Sequence, residues 1–171
     1  MLVRRELGGD EAPIRAVTAA AFGRPGEDIP VEAPLVDWLR ASAAWIAELS
    51  LVAADPDGTV VGHVVCTRGT VATSAVLALG PLSVRPDRQR SGVGTALVHA
   101  VLGAADALGE PLVALLGSTA YYPRFGFRRS SEYGITPQRP EWAEHFQVRT
   151  LTAYDPALRG GFAYPEPFDR M

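Results

Sequence analysis

Residues 89–95 read Gln-Arg-Ser-Gly-Val-Gly-Thr and stand between a predicted strand at residues 75–84 and a run with helical periodicity. A helix N-terminus presents unpaired N–H groups and a partial positive charge, and glycine lets an anion approach the main chain closely. An arginine beside such a turn adds charge-assisted hydrogen bonds. The segment therefore predicts either a plain tight turn or a phosphate-binding turn at the start of a helix.

Two known phosphate-binding turns fit this segment poorly. All 16 basic residues are arginine, which excludes the nucleotide-hydrolysing loop ending in Gly-Lys-Ser/Thr and any lysine nucleophile or Schiff base. A dinucleotide-binding turn needs a third glycine where Leu97 stands, and an acidic residue at the end of the next strand, where residues 111–116 offer none. What remains is a diphosphate held by one short turn, or a turn without a ligand.

The flanking pattern predicts a βαβ crossover with parallel strands. Leu97, Val101 and Ala105 line one face of the helix, and the continuously apolar residues 111–116 are typical of a buried strand. The other expected elements are a strand at 2–6, a helix capped by Asp10, a helix at 32–42, a hairpin with strands at 48–55 and 59–67, a strand near Phe127 and a last strand at 146–153.

Two motifs carry a family resemblance. Gln89-x-x-Gly92-x-Gly94 resembles the acetyl-CoA pyrophosphate signature of the GNAT superfamily of acyl-CoA N-acyltransferases, and residues 122–127, Tyr-Pro-Arg-Phe-Gly-Phe, are similar to a Tyr-x-x-x-Gly-Phe motif of many members. Two longer stretches, residues 79–84 (Leu-Gly-Pro-Leu-Ser-Val) and residues 121–127 (Tyr-Tyr-Pro-Arg-Phe-Gly-Phe), resemble a subgroup of predicted bacterial N-acetyltransferases, and the match covers about residues 76–127. The two motifs occur in the expected order, separated by one helix and one strand.

The resemblance implies an α/β (α+β) fold with a mixed, mostly antiparallel central sheet, helices on both faces and splayed central strands. Pro81 cannot complete a central ladder, which favours a bulge or strand separation at that point. The pantetheine arm of acetyl-CoA would insert at the splay and the pyrophosphate would lie on the turn. The implied cofactor-binding residues are Leu82, Ser83, Val84, Gln89, Arg90, Ser91, Gly92, Val93, Gly94 and Thr95.

Two catalytic residues are predicted on this basis. A phenol, with a pKa of about 10, stays protonated at neutral pH and can donate to a thiolate, and the motif register favours Tyr122 over the equally conspicuous Tyr121. The main-chain N–H of Leu82 is the expected oxyanion donor. The strand before the turn has no acidic residue, so no general base is assigned. His63 is more typical of a structural histidine, and ordered water is an alternative route for the proton.

Charged side chains elsewhere allow two interpretations. Arg124, Arg128 and Arg129 either meet the adenosine phosphate or face solvent. The acids near the second helix either attract a cationic amine or form a solvated face. These acids are Glu27, Asp28, Glu32 and Asp37.

Composition restricts the partners and the compartment. A net charge of −3 gives no long-range attraction for nucleic acid or an anionic membrane, and one cysteine with three scattered histidines is not a metal-ligand pattern. Charged residues interrupt the N-terminus early, which favours a cytoplasmic protein without a signal core. We expect one domain over residues 1–171, with residues 154–171 as an extension packed on it, and apolar strands and tail aromatics that offer a homodimer interface.

The leading hypothesis is an acetyl-CoA-dependent N-acetyltransferase that transfers the acetyl group directly to a primary amine, without a metal. The alternative is a non-catalytic module that binds and senses acyl-CoA. The acceptor is not identified by the sequence, because acceptor loops vary independently of cofactor motifs.

Overall fold

The computed structural model describes residues 1–26 and 28–171. Within that part of the chain it has nine strands and three α-helices. In chain order they are β1 (Leu2–Arg5), α1 (Glu11–Phe22), α2 (Glu32–Arg40), β2 (Ser50–Ala54), β3 (Val60–Val71), β4 (Ser74–Val84), α3 (Val93–Ala107), β5 (Leu112–Leu116), β6 (Arg128–Arg129), β7 (Ile135–Thr136), β8 (Phe146–Thr150) and β9 (Gly160–Ala163).

One mixed sheet organises these elements. Its strand order is β1-β2-β3-β4-β5-β8-β6, and every neighbouring pair in that order is antiparallel except β4 and β5. β4 and β5 are parallel and are joined through α3, so the predicted crossover and the mostly antiparallel sheet are confirmed. β9 pairs with both β3 and β7.

The two faces of the sheet are covered by different elements. Side chains alternate along a strand, so Leu77 packs with the α3 side, whereas its neighbours Val76 and Ala78 face the opposite layer. α3 covers the first face through Leu97, Val98 and Val101. On the other face, α1 and α2 pack over the β2–β3 half, and the aromatic C-terminal segment packs over the β4–β5–β8 half.

The structure corrects the prediction that Asp10 caps α1. Its carboxylate makes no cap hydrogen bond and instead accepts two from Arg4 on β1, at 2.6 and 3.1 Å, and one from the Leu7 N–H at 2.8 Å. The guanidinium of Arg4 holds the pKa of this carboxyl below its usual range. The Asp10 side chain therefore links β1 to the start of α1 and does not cap the N-terminus of the helix.

The C-terminal residues lie against the sheet. Phe162 pairs with Val71 of β3 and is buried, in contact with the aromatic side chains of Phe146 and Tyr164. Among the described residues, no helix has the length and apolar character needed to cross a membrane.

Candidate active site

The central strands separate where the chemistry is expected. β4 and β5 pair only at Leu77–Val113 and Ala78–Ala114, although β4 continues to Val84. The register of β4 against β3 shifts within the same region, beside a cis Gly80–Pro81 peptide. Since proline has no N–H to donate, the ladder is interrupted at this point. The expected splay of the central strands is confirmed.

A cavity of about 1030 Å³ passes through this gap. One end, which we call the donor end, lies at the start of α3 and is lined by Gln89, Arg90, Gly92, Gly94 and Thr95. The other, the acceptor end, lies on the α1–α2 face and is lined by Glu32, Leu35, Trp142, Tyr164, Phe168 and Asp169. Gly80, Pro81 and Leu82 line the cavity between them.

The turn at the donor end leaves the helix terminus open. Gly92 precedes α3 with φ +91°, and a Cβ there would meet nothing within 4 Å. The first turn of α3 contains no acidic residue that would compete for its N–H groups. The Gln89 amide donates to the Val84 carbonyl at 3.1 Å, which ties the turn to the end of β4. A main-chain anion site at a helix N-terminus is the chemistry this arrangement provides.

The cavity brings together seven of the ten predicted cofactor-binding residues, namely Leu82, Val84, Gln89, Arg90, Gly92, Gly94 and Thr95. Three others do not line it. The Ser83 side chain is buried beneath α1 and shares a 3.1 Å hydrogen bond with the hydroxyl of Thr18. Val93, the first residue of α3, packs into the core, and the Ser91 hydroxyl donates to the carbonyl of Arg88. These three residues can reach a ligand only through the main chain.

Arg90 is the predicted cation of the donor end. It lines the cavity, and the described residues give it no ion pair or hydrogen bond. Its neighbour Arg88 is paired with Asp55, and Arg85 is paired with Asp87 at 2.6 Å. Arg124 also lines the cavity and stacks on the ring of Tyr121 at 4.6 Å. Arg90 is thus the guanidinium of this turn that is available to an anion.

Both candidate tyrosines line the cavity, in different environments. The Tyr122 ring makes edge contacts with Tyr121 and Phe127, at centroid distances of 5.0 and 5.7 Å. Burial raises the pKa of Tyr122 from 10.0 to about 12, so its hydroxyl stays protonated throughout the neutral range. The Tyr121 hydroxyl lies over Gly94, 2.9 Å from where a Cβ would stand. Tyr122 therefore lines the cavity with a hydroxyl that retains its proton.

The acceptor end contains residues that the sequence reasoning missed. Trp142, Tyr164 and Phe168 bring aromatic rings to it, with Arg139 stacked on Trp142 at 5.1 Å. Burial raises the pKa of Tyr164 above that of a free phenol, opposed by a hydrogen bond with the Leu116 main chain. The aromatic residues of the tail were visible in the sequence, but they lack a period and gave no sign that they face a cavity.

The acids near α2 are separated by the structure. Asp37 is paired with Arg15 and with Arg40, Asp28 is exposed, and Glu32 alone of the described three lines the cavity. Glu27 lies outside the described residues. Of the two interpretations, a solvated or paired face describes Asp28 and Asp37, whereas Glu32 lies on the wall of the cavity.

His63 and Cys66 are buried away from the cavity. His63 shares a 2.9 Å hydrogen bond with Ser50, and burial lowers its pKa from 6.5 to about 3. Burial raises the pKa of the Cys66 thiol, which disfavours the nucleophilic thiolate form. The described residues contain no cluster of side chains that could hold a metal ion.

Comparison with known proteins agrees with this geometry. The family model described as "Acetyltransferase (GNAT) family" matches residues 17–127. The N-acetyltransferase YhbS of Escherichia coli (strain K12) is 31% identical over 176 residues, covering 100% of both chains. The crystal structure of E. coli YhbS in complex with CoA has a TM-score of 0.89 and 29% identity, covering 99% of this chain and 92% of that one.

A second solved structure is similar over nearly the whole length. It is a GNAT family acetyltransferase from Brucella melitensis in complex with acetyl-CoA, with a TM-score of 0.80 and 34% identity, covering 98% of this chain and 97% of that one. The family match, the relatives and the cavity between the splayed strands lead to one conclusion. The chain belongs to the GNAT family and is an acetyltransferase.

Proposed function

We propose that the protein is an acetyl-CoA-dependent N-acetyltransferase that transfers the acetyl group directly to a primary amine. The observation that carries this proposal is a continuous cavity that joins the open N-terminus of α3 to the gap between β4 and β5 and then to the end beside α2 and the C-terminal segment. The complexes of YhbS with CoA and of the Brucella protein with acetyl-CoA support the choice of donor.

Acetyl-CoA would be held at the donor end and in the gap. The main chain of Leu82, Ser83 and Val84 lies along the gap, where it can hydrogen-bond an extended pantetheine arm as a neighbouring strand would. The pyrophosphate would accept hydrogen bonds from the N–H groups of residues 90–95 and pair with Arg90. Ser91 and Val93 contribute through the main chain only.

In the proposed reaction, the neutral amine nitrogen attacks the thioester carbonyl. A C–N bond forms and the C–S bond breaks, while the Leu82 N–H stabilises the oxyanion. The Tyr122 hydroxyl donates its proton to the departing sulfur. The pKa of Tyr122 exceeds that of a thiol, so the phenolate left after this transfer is a strong base. In the proposal it takes up the proton that the nitrogen releases, carried by water. The net transfer moves one proton from nitrogen to sulfur.

Release of free thiol from acetyl-CoA in the presence of a panel of amines tests the proposal. The chain suits this assay, because its single thiol, Cys66, is buried and it contains no lysine that could act as an internal acceptor. We expect amine-dependent thiol release. Failure of every amine together with failure to bind acetyl-CoA would refute the proposal, and binding without turnover would support a sensing module instead.

We further propose that residues 1–171 act as one domain, with residues 154–171 as an extension packed on it. The pairing of β9 with β3 and the burial of Phe162 support this. A cytoplasmic location and a homodimer stay predictions from the sequence.

A further inference from the structure

The acceptor end is a space between two walls. One wall is the face of α2 that carries Glu32 and Leu35 one turn apart, with Phe22 of α1 beside it. The other is the C-terminal segment, where residues 166–170 form a short helical turn that packs on α2 through a cation–π contact of Arg170 with Trp38 at 5.4 Å. An acceptor must enter between these walls to reach the gap.

Aromatic rings dominate the C-terminal wall. Trp142 and Tyr164 pack edge to face at 6.1 Å, and Tyr164 and Phe168 lie 4.5 Å apart. All three side chains line the cavity. Aromatic faces attract cations and pack against aliphatic chains, whereas their negative quadrupole disfavours an anion.

The carboxylates at this end are available to a ligand. Glu32 is half-buried, lines the cavity and has no hydrogen bond or ion pair with any described residue. Asp169, on the opposite wall, accepts one hydrogen bond from residues 1–26 and 28–171, from the Gln138 amide at 3.4 Å. Among the described residues one cation, Arg139, lines the same end, and it is stacked on Trp142. The described side chains at this end are thus two carboxylates and one guanidinium, which carry a net negative charge.

The chemistry of transfer decides which charge these carboxylates can recognise. The reacting nitrogen must be neutral when it attacks, so it cannot keep a salt bridge in the transition state. A carboxylate at this end can favour the reaction either by accepting the proton of the reacting nitrogen or by binding a second positive group of the acceptor, and only the second role selects among amines. We propose, on the basis of the function proposed above, that the acceptor is an aliphatic amine with a second cationic group, and that Glu32 and Asp169 are the specificity residues that bind this group beside the aromatic wall.

Three amines of matched chain length test this inference. They are 1,4-diaminobutane, butylamine and 4-aminobutanoate, which place a positive, a neutral or a negative group at the far end. We expect kcat/KM to fall in that order. Glu32→Gln and Asp169→Asn should each lower kcat/KM for the diamine about tenfold, mainly through KM, with a smaller effect on butylamine. Arg139→Gln should increase the preference for the diamine.

Two matched variants control for helix stability and surface charge. Glu11→Gln removes the first-turn acid of α1, as Glu32→Gln does for α2, and Glu166→Gln removes an acid that shares the C-terminal turn with Asp169 but does not line the cavity. Both controls should retain the wild-type order of the three amines.

The outcomes separate this inference from the proposed function. Thiol release that favours 4-aminobutanoate, or a diamine preference unchanged in both Glu32→Gln and Asp169→Asn, would overturn the inference while leaving acetyl transfer intact. If no amine releases thiol, calorimetric binding of the three amines to the CoA-saturated protein gives the readout. The same order is expected there, and equal or reversed affinities would overturn the inference.

Discussion

Tyr122 reaches the cavity because residue 117 has no side chain. A Cβ at Gly117 would lie 2.5 Å from the Tyr122 ring, closer than any van der Waals contact allows. The rings of Tyr121 and Phe127 make edge contacts with the Tyr122 ring elsewhere. The position of the proposed proton donor is therefore set by a close approach at the end of β5.

Gly117→Ala should move the Tyr122 ring and lower kcat by at least tenfold, because proton transfer depends on sub-ångström positioning. The affinity for CoA should change little, since the donor end is not touched. Stopped-time thiol release and calorimetry of CoA binding measure the two effects. Gly103→Ala is the matched control: a Cβ on this exposed helical glycine meets nothing within 4 Å, so activity should persist and the melting temperature should rise. Unchanged kcat in Gly117→Ala would contradict this account.

Tyr122→Phe should lower kcat by about 100-fold with little change in KM for acetyl-CoA, since it removes the hydroxyl and keeps the ring. Tyr121→Phe, the neighbouring cavity tyrosine, should keep most of the activity. Steady-state kinetics of both variants decides between the two residues. Loss of activity in Tyr121→Phe alone would transfer the role to that residue.

The turn before α3 is the element on which donor binding depends. It joins the N-terminal end of α3 to β4 through Gln89, and its left-handed Gly92 keeps side-chain atoms away from the N–H groups. A side chain at residue 92 would be strained by the positive φ of this position. In the proposed complex the N–H groups of the turn would hold the anion, and Arg90 would add charge to them.

Arg90→Gln should weaken CoA binding about tenfold and leave the binding of pantetheine unchanged, because pantetheine lacks the pyrophosphate. Calorimetric titration with both ligands measures the difference. Arg128→Gln is the control, since Arg128 is exposed and 3.5 Å from Glu132, outside the cavity. A parallel loss of affinity for both ligands in Arg90→Gln would instead indicate damage to the turn.

Elements differ in how well the sequence predicts them, for physical reasons. The β4–α3–β5 crossover is predictable because its periodicity and its motif are contiguous along the chain. β7 consists only of Ile135–Thr136, which is too short for alternation to be visible. The contact of Asp10 with Arg4 joins two elements, and a capping rule that considers only neighbouring residues cannot anticipate it.

The same distinction holds for the whole molecule. The donor end is built from residues 89–95, and a resemblance carried by local motifs pointed to it. The acceptor end is assembled from α1, α2 and residues 138–169, which meet only in the folded chain. Its aromatic and acidic side chains follow no sequence period, so the cavity itself was needed to find them.

A buried polar network joins the first half of the sheet and carries a pH dependence for the whole protein. Arg40 donates to Glu6 at 2.7 Å, Glu6 accepts from Ser50, and Ser50 lies 2.9 Å from the Nε2 atom of His63. His63 is fully buried, and desolvation is the largest cause of its lowered pKa, followed by the charge of Arg40. Burial therefore favours the neutral imidazole in the folded protein, against the Glu6 carboxylate, whose Oε2 lies 3.8 Å from Nε2.

A lowered histidine pKa makes acid destabilising. Between about pH 6.5 and pH 3 the unfolded chain binds a proton at His63 and the folded chain does not. As the pH is lowered through this range, the free energy of unfolding falls by up to about 1.4 kcal/mol per pH unit. His63→Gln cannot titrate and should show a shallower fall. Urea unfolding at pH 7.5, 6 and 5 measures the slopes. His145→Gln, at an exposed position, should keep the wild-type slope, and a wild-type slope in His63→Gln would show that the acid sensitivity arises elsewhere.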